Sequence, residues 1–227
     1  MQVTKPEMSL HINSVLTEQG ADHKVIALLA ECDLQPEKFY LTGFETISFN
    51  RDKWFVLETV LASVTSFDTD VLVINTGLQS ARIIDICKSH KLNCSVADYH
   101  LISDDLSLLA DILENHPSIT HLVLSEGDTI SISRDELHQI GKLAGQYKVD
   151  LIVDCHHAPL SVRTALDCGV SFMVSCDGSH SEQAIVVARR AKLVQAEGRS
   201  RSVMYDLYGY WQKTLVYRNH EIEPMAV

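Results

Sequence analysis

The apolar periodicity of this chain keeps switching between two repeats, and that alternation constrains its fold more than any other feature. Val71-Leu-Val-Ile74 is a short continuous apolar run, closed by Asn75-Thr-Gly77. Ala81, Ile84 and Cys87 then recur at helical spacing as far as Lys91. Cys94–Ala97, His121–Leu124, Asp150–Asp154, Phe172–Ser175 and Ala184–Val187 read as further strands. Between them, Leu106, Leu109 and Leu113 mark one helix, with Asp104 or Asp105 as its N-cap. Leu137, Ile140, Ala144 and Tyr147 mark another, ending near Lys148. Strands that alternate with helices build βαβ units, so the expected class is α/β: three layers, α/β/α, around a mostly parallel sheet.

Composition narrows the class further. A chain of 227 residues with 46% hydrophobic content can bury a full core and is neither disordered nor a disulfide-stapled miniprotein. Its formal charge of −11, with no basic block, argues against nucleic-acid binding, which needs clustered Lys and Arg. No apolar run reaches the roughly 18–20 residues of a membrane span, and Met1–Leu10 has no signal-peptide core. The six cysteines include no CxxC pair and read as reduced thiols, so the expected setting is cytoplasmic. Residues 1–36 read as an N-terminal helical arm bounded by Pro36, 37–220 as the main domain, and 221–227 as an aperiodic tail.

Ligands of open α/β sheets bind outside the carboxyl ends of the strands. That rule selects Thr42-Gly43, Asn75-Thr-Gly77, Ser125-Glu-Gly-Asp-Thr129, Asp154-Cys-His-His157 and Ser175-Cys-Asp-Gly-Ser-His180.

The order of these segments resembles a known family. Tyr40-Leu-Thr-Gly43, Val71–Arg82, Ile119-Thr-His-Leu122, Leu151-Ile-Val-Asp154 and Ala188–Leu193 are collinear with the large domain of the 2-aminoethylphosphonate–pyruvate transaminases. These are class V, fold-type I pyridoxal-phosphate aminotransferases. Gly198-Arg-Ser-Arg-Ser202 with Asp206-Leu-Tyr208 and Trp211 is similar to the family's G-x-S-R-S-x-x-x-D-L-Y-x-x-W segment. The resemblance implies a large domain from about Phe39 to His220, with Asp154 as the partner of the cofactor's pyridinium nitrogen.

Four departures accompany the likeness. Ser179 stands where the family's Schiff-base Lys is expected, and no Lys occurs between Lys148 and Lys192; a hydroxyl cannot form an imine. The family's first strand runs into a Gly-Ser-Gly-Thr turn whose backbone N–H groups meet the cofactor phosphate. Here the strand is followed by Gly43–Trp54, a longer stretch that loses the glycines and adds Glu45 and Asp52, with Arg51 and Lys53 to offset them. The alternation within Phe44–Phe49 fits an extra short strand instead. The family's His-Ser-Glu-Thr loop survives only as Thr129, and its ring-contacting aromatic is Gln79. The family's C-terminal small domain has no counterpart in this sequence.

The expectation is therefore a degenerate homologue with no catalytic residues and no cofactor, its vestigial pocket lined by Asp154, Thr129, His157 and Ser179. Two enzyme readings compete: a residual aminotransferase of phosphonate metabolism, or a metal-dependent hydrolase. For the latter, Asp154, His157, Cys176 and His180 are zinc-type ligands on adjacent loops. Arg199 and Arg201 are candidates for binding a small anion. The expected partner is a second copy of the chain, by resemblance to the dimeric family, or another protein. Tyr205, Tyr208, Tyr210, Trp211 and Tyr217 fall within thirteen residues, a density that suits an interface core or the packing of a C-terminal helix.

Overall fold

The computed structural model describes residues 43–125, 132–155, 162–176 and 184–220. The expected N-terminal arm and tail lie outside these residues. In chain order the elements are β1 (Phe44–Phe49), α1 (Lys53–Val64), β2 (Asp70–Asn75), α2 (Leu78–Ser89), β3 (Asn93–Asp98), α3 (Tyr99–Asp104), α4 (Ser107–Asn115), β4 (Ile119–Ser125), α5 (Arg134–Gln146), β5 (Asp150–Cys155), α6 (Val162–Asp167), β6 (Phe172–Cys176), β7 (Ala184–Arg189), α7 (Arg190–Gln195), a short 3-10 turn (Val203–Tyr205) and α8 (Leu207–His220). The seven strands form one sheet in the order β1-β7-β6-β5-β4-β2-β3. β7 runs antiparallel to both of its neighbours, and β2 to β6 run parallel.

Each central strand is buried on both faces, which is why its sequence reads as a continuous apolar run. In β5, Leu151, Val153 and Cys155 join the core under α3, α4, α5 and α6. Ile152 joins the opposite core, under α1, α2, α7 and α8, and the period of two puts Asp150 and Asp154 on that same face. Helix α1 is buried along most of its length because it fills the middle of this second layer, with Val56, Leu57, Val60 and Leu61 fully inaccessible. On the first layer, α5 approaches the loop before β6 so closely that a Cβ on Gly141 would lie 1.7 Å from the Cys168 carbonyl oxygen.

Helices α2 and α5 end at Ser89 and Gln146, close to where the sequence indicated, and Lys91 and Lys148, just past their C-caps, take the left-handed conformation common after a helix end. One boundary differs from expectation. Asp105 ends α3 instead of capping the Leu106–Leu113 helix: its carboxylate accepts from the Ser107 N–H and hydroxyl, while Leu106 takes the cap position without a side-chain bond. More consequentially, the first strand is Phe44–Phe49, six residues long and paired along its length with β7. This is the extra short strand that the alternation within Phe44–Phe49 suggested, in place of a long turn after Gly43. The true strand-to-helix turn is only Asn50-Arg-Asp52, directly before Lys53 opens α1.

Candidate functional site

The carboxyl ends of the parallel strands meet around Asp154, next to last in β5 and wholly inaccessible to solvent. A carboxylate in that position needs partners, because an isolated buried charge costs several kcal/mol or more. It has two, both on Oδ2: the Ser125 hydroxyl at the end of β4 donates at 2.9 Å, and the Lys53 ammonium at 3.0 Å. The lysine side chain is 5% exposed, so the ion pair is dry. Oδ1 is buried with no hydrogen-bond partner among the described residues.

Local structure holds this arrangement in place. The Thr76 hydroxyl donates to the Ser125 carbonyl at 2.8 Å, and the Thr76 N–H donates to the Ser80 hydroxyl at 2.9 Å. The loop after β2 is thereby locked to the end of β4, which fixes Ser125 beside Asp154. From the other side, Asp52 is the N-cap of α1 and its Oδ1 accepts from the Trp54 N–H at 2.8 Å and the Phe55 N–H at 3.1 Å. The cap sets the first turn, and Lys53 in that turn points into the sheet. The Trp54 ring lies under two cations, Lys53 at 4.6 Å and Arg82 at 4.3 Å from its centroid.

Among the described residues, the arrangement around Asp154 does not match what pyridoxal phosphate would need. The acceptor expected for its ring nitrogen already carries an ammonium. A protonated ring nitrogen would bring a second cation to one carboxylate, and like charges about 4 Å apart repel by about 4 kcal/mol at an effective dielectric of about 20. A neutral ring nitrogen would instead turn a lone pair toward the carboxylate. At the other pole, the α1 N–H groups that could receive a phosphate are bonded to a carboxylate.

Of the residues anticipated from sequence, Asp154 sits at the strand end as expected, and Cys176 lies on the same face of the sheet, packed against the core under α1. Thr129, His157, Ser179 and His180 lie outside the described residues. Among the described residues no group of three or more His, Cys, Asp or Glu could hold a metal ion. Arg199 and Arg201 are not part of this site: they follow α7 and lie toward the amino ends of the strands. Arg199 lines a small cavity there with His121, Asp150 and Lys192. Arg201 stacks 4.1 Å from the Phe67 ring centroid, with two buried guanidinium nitrogens lacking hydrogen-bond partners, and burial lowers its pKa.

The aromatic group near the C-terminus packs inward to a large extent. Trp211 is buried, Tyr208 meets it edge-on at 5.7 Å, Tyr210 meets Phe49 at 4.9 Å, and Tyr205 lies against Phe55 and His90. The helix-packing reading of these residues accounts for their contacts; the Tyr217 side chain is outside the described set. Sequence reasoning missed Ser125 as a partner of Asp154 and the reach of Lys53. The available signal was a lone lysine opening the largely apolar Lys53–Val64 segment.

No protein-family model matches the chain. Among curated proteins it is similar to the 2-aminoethylphosphonate–pyruvate transaminase of Klebsiella pneumoniae, 28% identical over 176 residues, covering 75% of this chain and 48% of the relative. The Aeromonas hydrophila protein of the same name is 26% identical over 207 residues, covering 86% and 52%. The chain thus spans about half the length of the curated relatives it matches. Among solved structures, its fold matches ureidoglycine–glyoxylate aminotransferase from Bacillus subtilis, with TM-score 0.63, 15% identity and coverage of 100% of this chain and 57% of the other. It also matches pyridoxamine–pyruvate aminotransferase from Mesorhizobium loti, with TM-score 0.63, 18% identity and coverage of 97% and 53%. The chain is a distant homologue of these transaminases, and its fold is that of the pyridoxal-phosphate-dependent transferase large domain. No helix among the described residues is long and apolar enough to cross a membrane.

Proposed function

We propose that this distant homologue of the 2-aminoethylphosphonate–pyruvate transaminases does not transaminate, holds no pyridoxal phosphate, and works as a binding protein. Residues 37–220 form its large-domain unit, and a second copy of the chain or another protein is its partner. The observation that carries this reading is the Lys53–Asp154 pair, 3.0 Å and dry, on the carboxylate that a cofactor ring would need. The sequence change at Ser179 supports it independently, because the position expected to supply the imine nitrogen has a hydroxyl. Self-association is the simpler assembly, since it needs only a surface that complements itself.

The test is to titrate the pure chain with pyridoxal phosphate, follow the visible aldimine band, and trap any adduct with borohydride. Transfer of the amino group from 2-aminoethylphosphonate to pyruvate is assayed in parallel, and sedimentation velocity gives the oligomeric state. No saturable band and no product are expected. A band trapped on one lysine, or turnover, overturns the proposal.

A further inference from the structure

We infer that Asp52 and Lys53 act together as an internal ligand, a built-in plug that replaces both charged poles of a phosphate-bearing pyridinium compound. The two residues are adjacent in sequence and diverge in space. The Asp52 carboxylate takes the first free N–H groups of α1, at 2.8 and 3.1 Å, where the helix dipole favours an anion. The Lys53 ammonium takes Asp154, wholly buried, at 3.0 Å. One stretch of backbone thus delivers an anion to the helix end and a cation to the strand end. The folded chain needs no bound molecule to neutralise Asp154 or to cap α1.

A latent site follows from this geometry. With the plug removed, α1 presents uncapped N–H groups, Asp154 presents an unpaired carboxylate, and its Oδ1, buried with no hydrogen-bond partner among the described residues, is a second acceptor. Their joint complement is a small molecule with a phosphate at one end and a ring N–H cation at the other. The inference rests on the location of the pocket proposed above, but not on the absence of catalysis.

The probe is pyridoxine 5′-phosphate, which has the phosphate and the ring nitrogen but no aldehyde, so it reports the pocket without imine chemistry. Thermal unfolding of the full chain is followed with and without the probe for wild type, for Asp52→Ala/Lys53→Ala, and for that variant with Asp154→Asn added. The wild-type midpoint is expected not to move. The double variant melts lower and gains at least about 3 °C with saturating probe, and Asp154→Asn abolishes that gain. A double variant that folds, by circular dichroism and gel filtration, yet shows no shift overturns the inference. So does a shift as large in the wild type. If the double variant does not fold, Lys53→Ala/Asp154→Asn decides: it must be more stable than Lys53→Ala alone, because it removes the unpaired charge, and equal or lower stability overturns the plug. Failure of the proposed function shows separately, as an aldimine band or turnover in the wild type.

Discussion

Strand β5 carries an aspartate at each end, and each takes an ammonium from a helix of the same layer, yet the two pairs differ in kind. At the carboxyl end, Asp154 and Lys53 are sealed, at 0% and 5% side-chain exposure. At the amino end, Asp150 accepts Lys192 at 2.8 Å and the Ser171 hydroxyl at 2.8 Å, with side chains 17% and 29% exposed. The chemistry is the same and the dielectric is not. Water can solvate either partner at the amino end, so that pair is replaceable. At the carboxyl end, loss of one partner leaves a charge with nowhere to go.

The largest expected effect is at the sealed pair. Lys53→Ala should lower unfolding free energy by about 3–5 kcal/mol in urea titrations, since it strands the Asp154 carboxylate. Ser125→Ala comes next, at about 2 kcal/mol, because it removes one hydrogen bond to a charged acceptor and leaves the ammonium. Lys192→Ala should cost about 1 kcal/mol or less. If Lys192→Ala proves as damaging as Lys53→Ala, the contrast between the two ends is wrong.

The smallest effect at neutral pH concerns His121, beside the amino-end pair. Burial lowers its pKa from 6.5 to about 4, with Asp150 opposing and Lys192 and Arg199 reinforcing the shift. The folded chain therefore holds a neutral imidazole where the unfolded chain takes up a proton. Stability conferred by this group is complete above about pH 6.5 and is lost as pH falls toward 4. His121→Gln should flatten the loss measured between pH 7 and 5 while changing little at pH 7.5. An unchanged slope would assign the acid sensitivity to other groups.

Much of the fold was legible because strands buried on both faces must be apolar throughout. β2, β4, β5, β6 and β7 each show such a run, and their order carried the family resemblance. β1 was harder to read: Glu45, Thr46 and Ser48 interrupt it, and the buried Glu45 is paired with Arg190, 145 residues away. No local pattern announces that bond. The site was half legible for the same reason. Asp154 ends a recognisable strand, and its position followed from the run before it. Lys53 reads as a helix-end charge until the helix is docked, and Ser125 as an ordinary strand-end polar residue.

The sequence by itself determined the class, the succession of elements and the loss of a lysine between Lys148 and Lys192, since these depend on periodicity and residue identity along the chain. Only the tertiary structure decided what pairs with Asp154. The partner of Asp154 lies 101 residues away, and its distance and dryness depend on packing α1 beneath the sheet. A contact between charges gains its strength from the low dielectric around it. That environment exists only once both layers have closed.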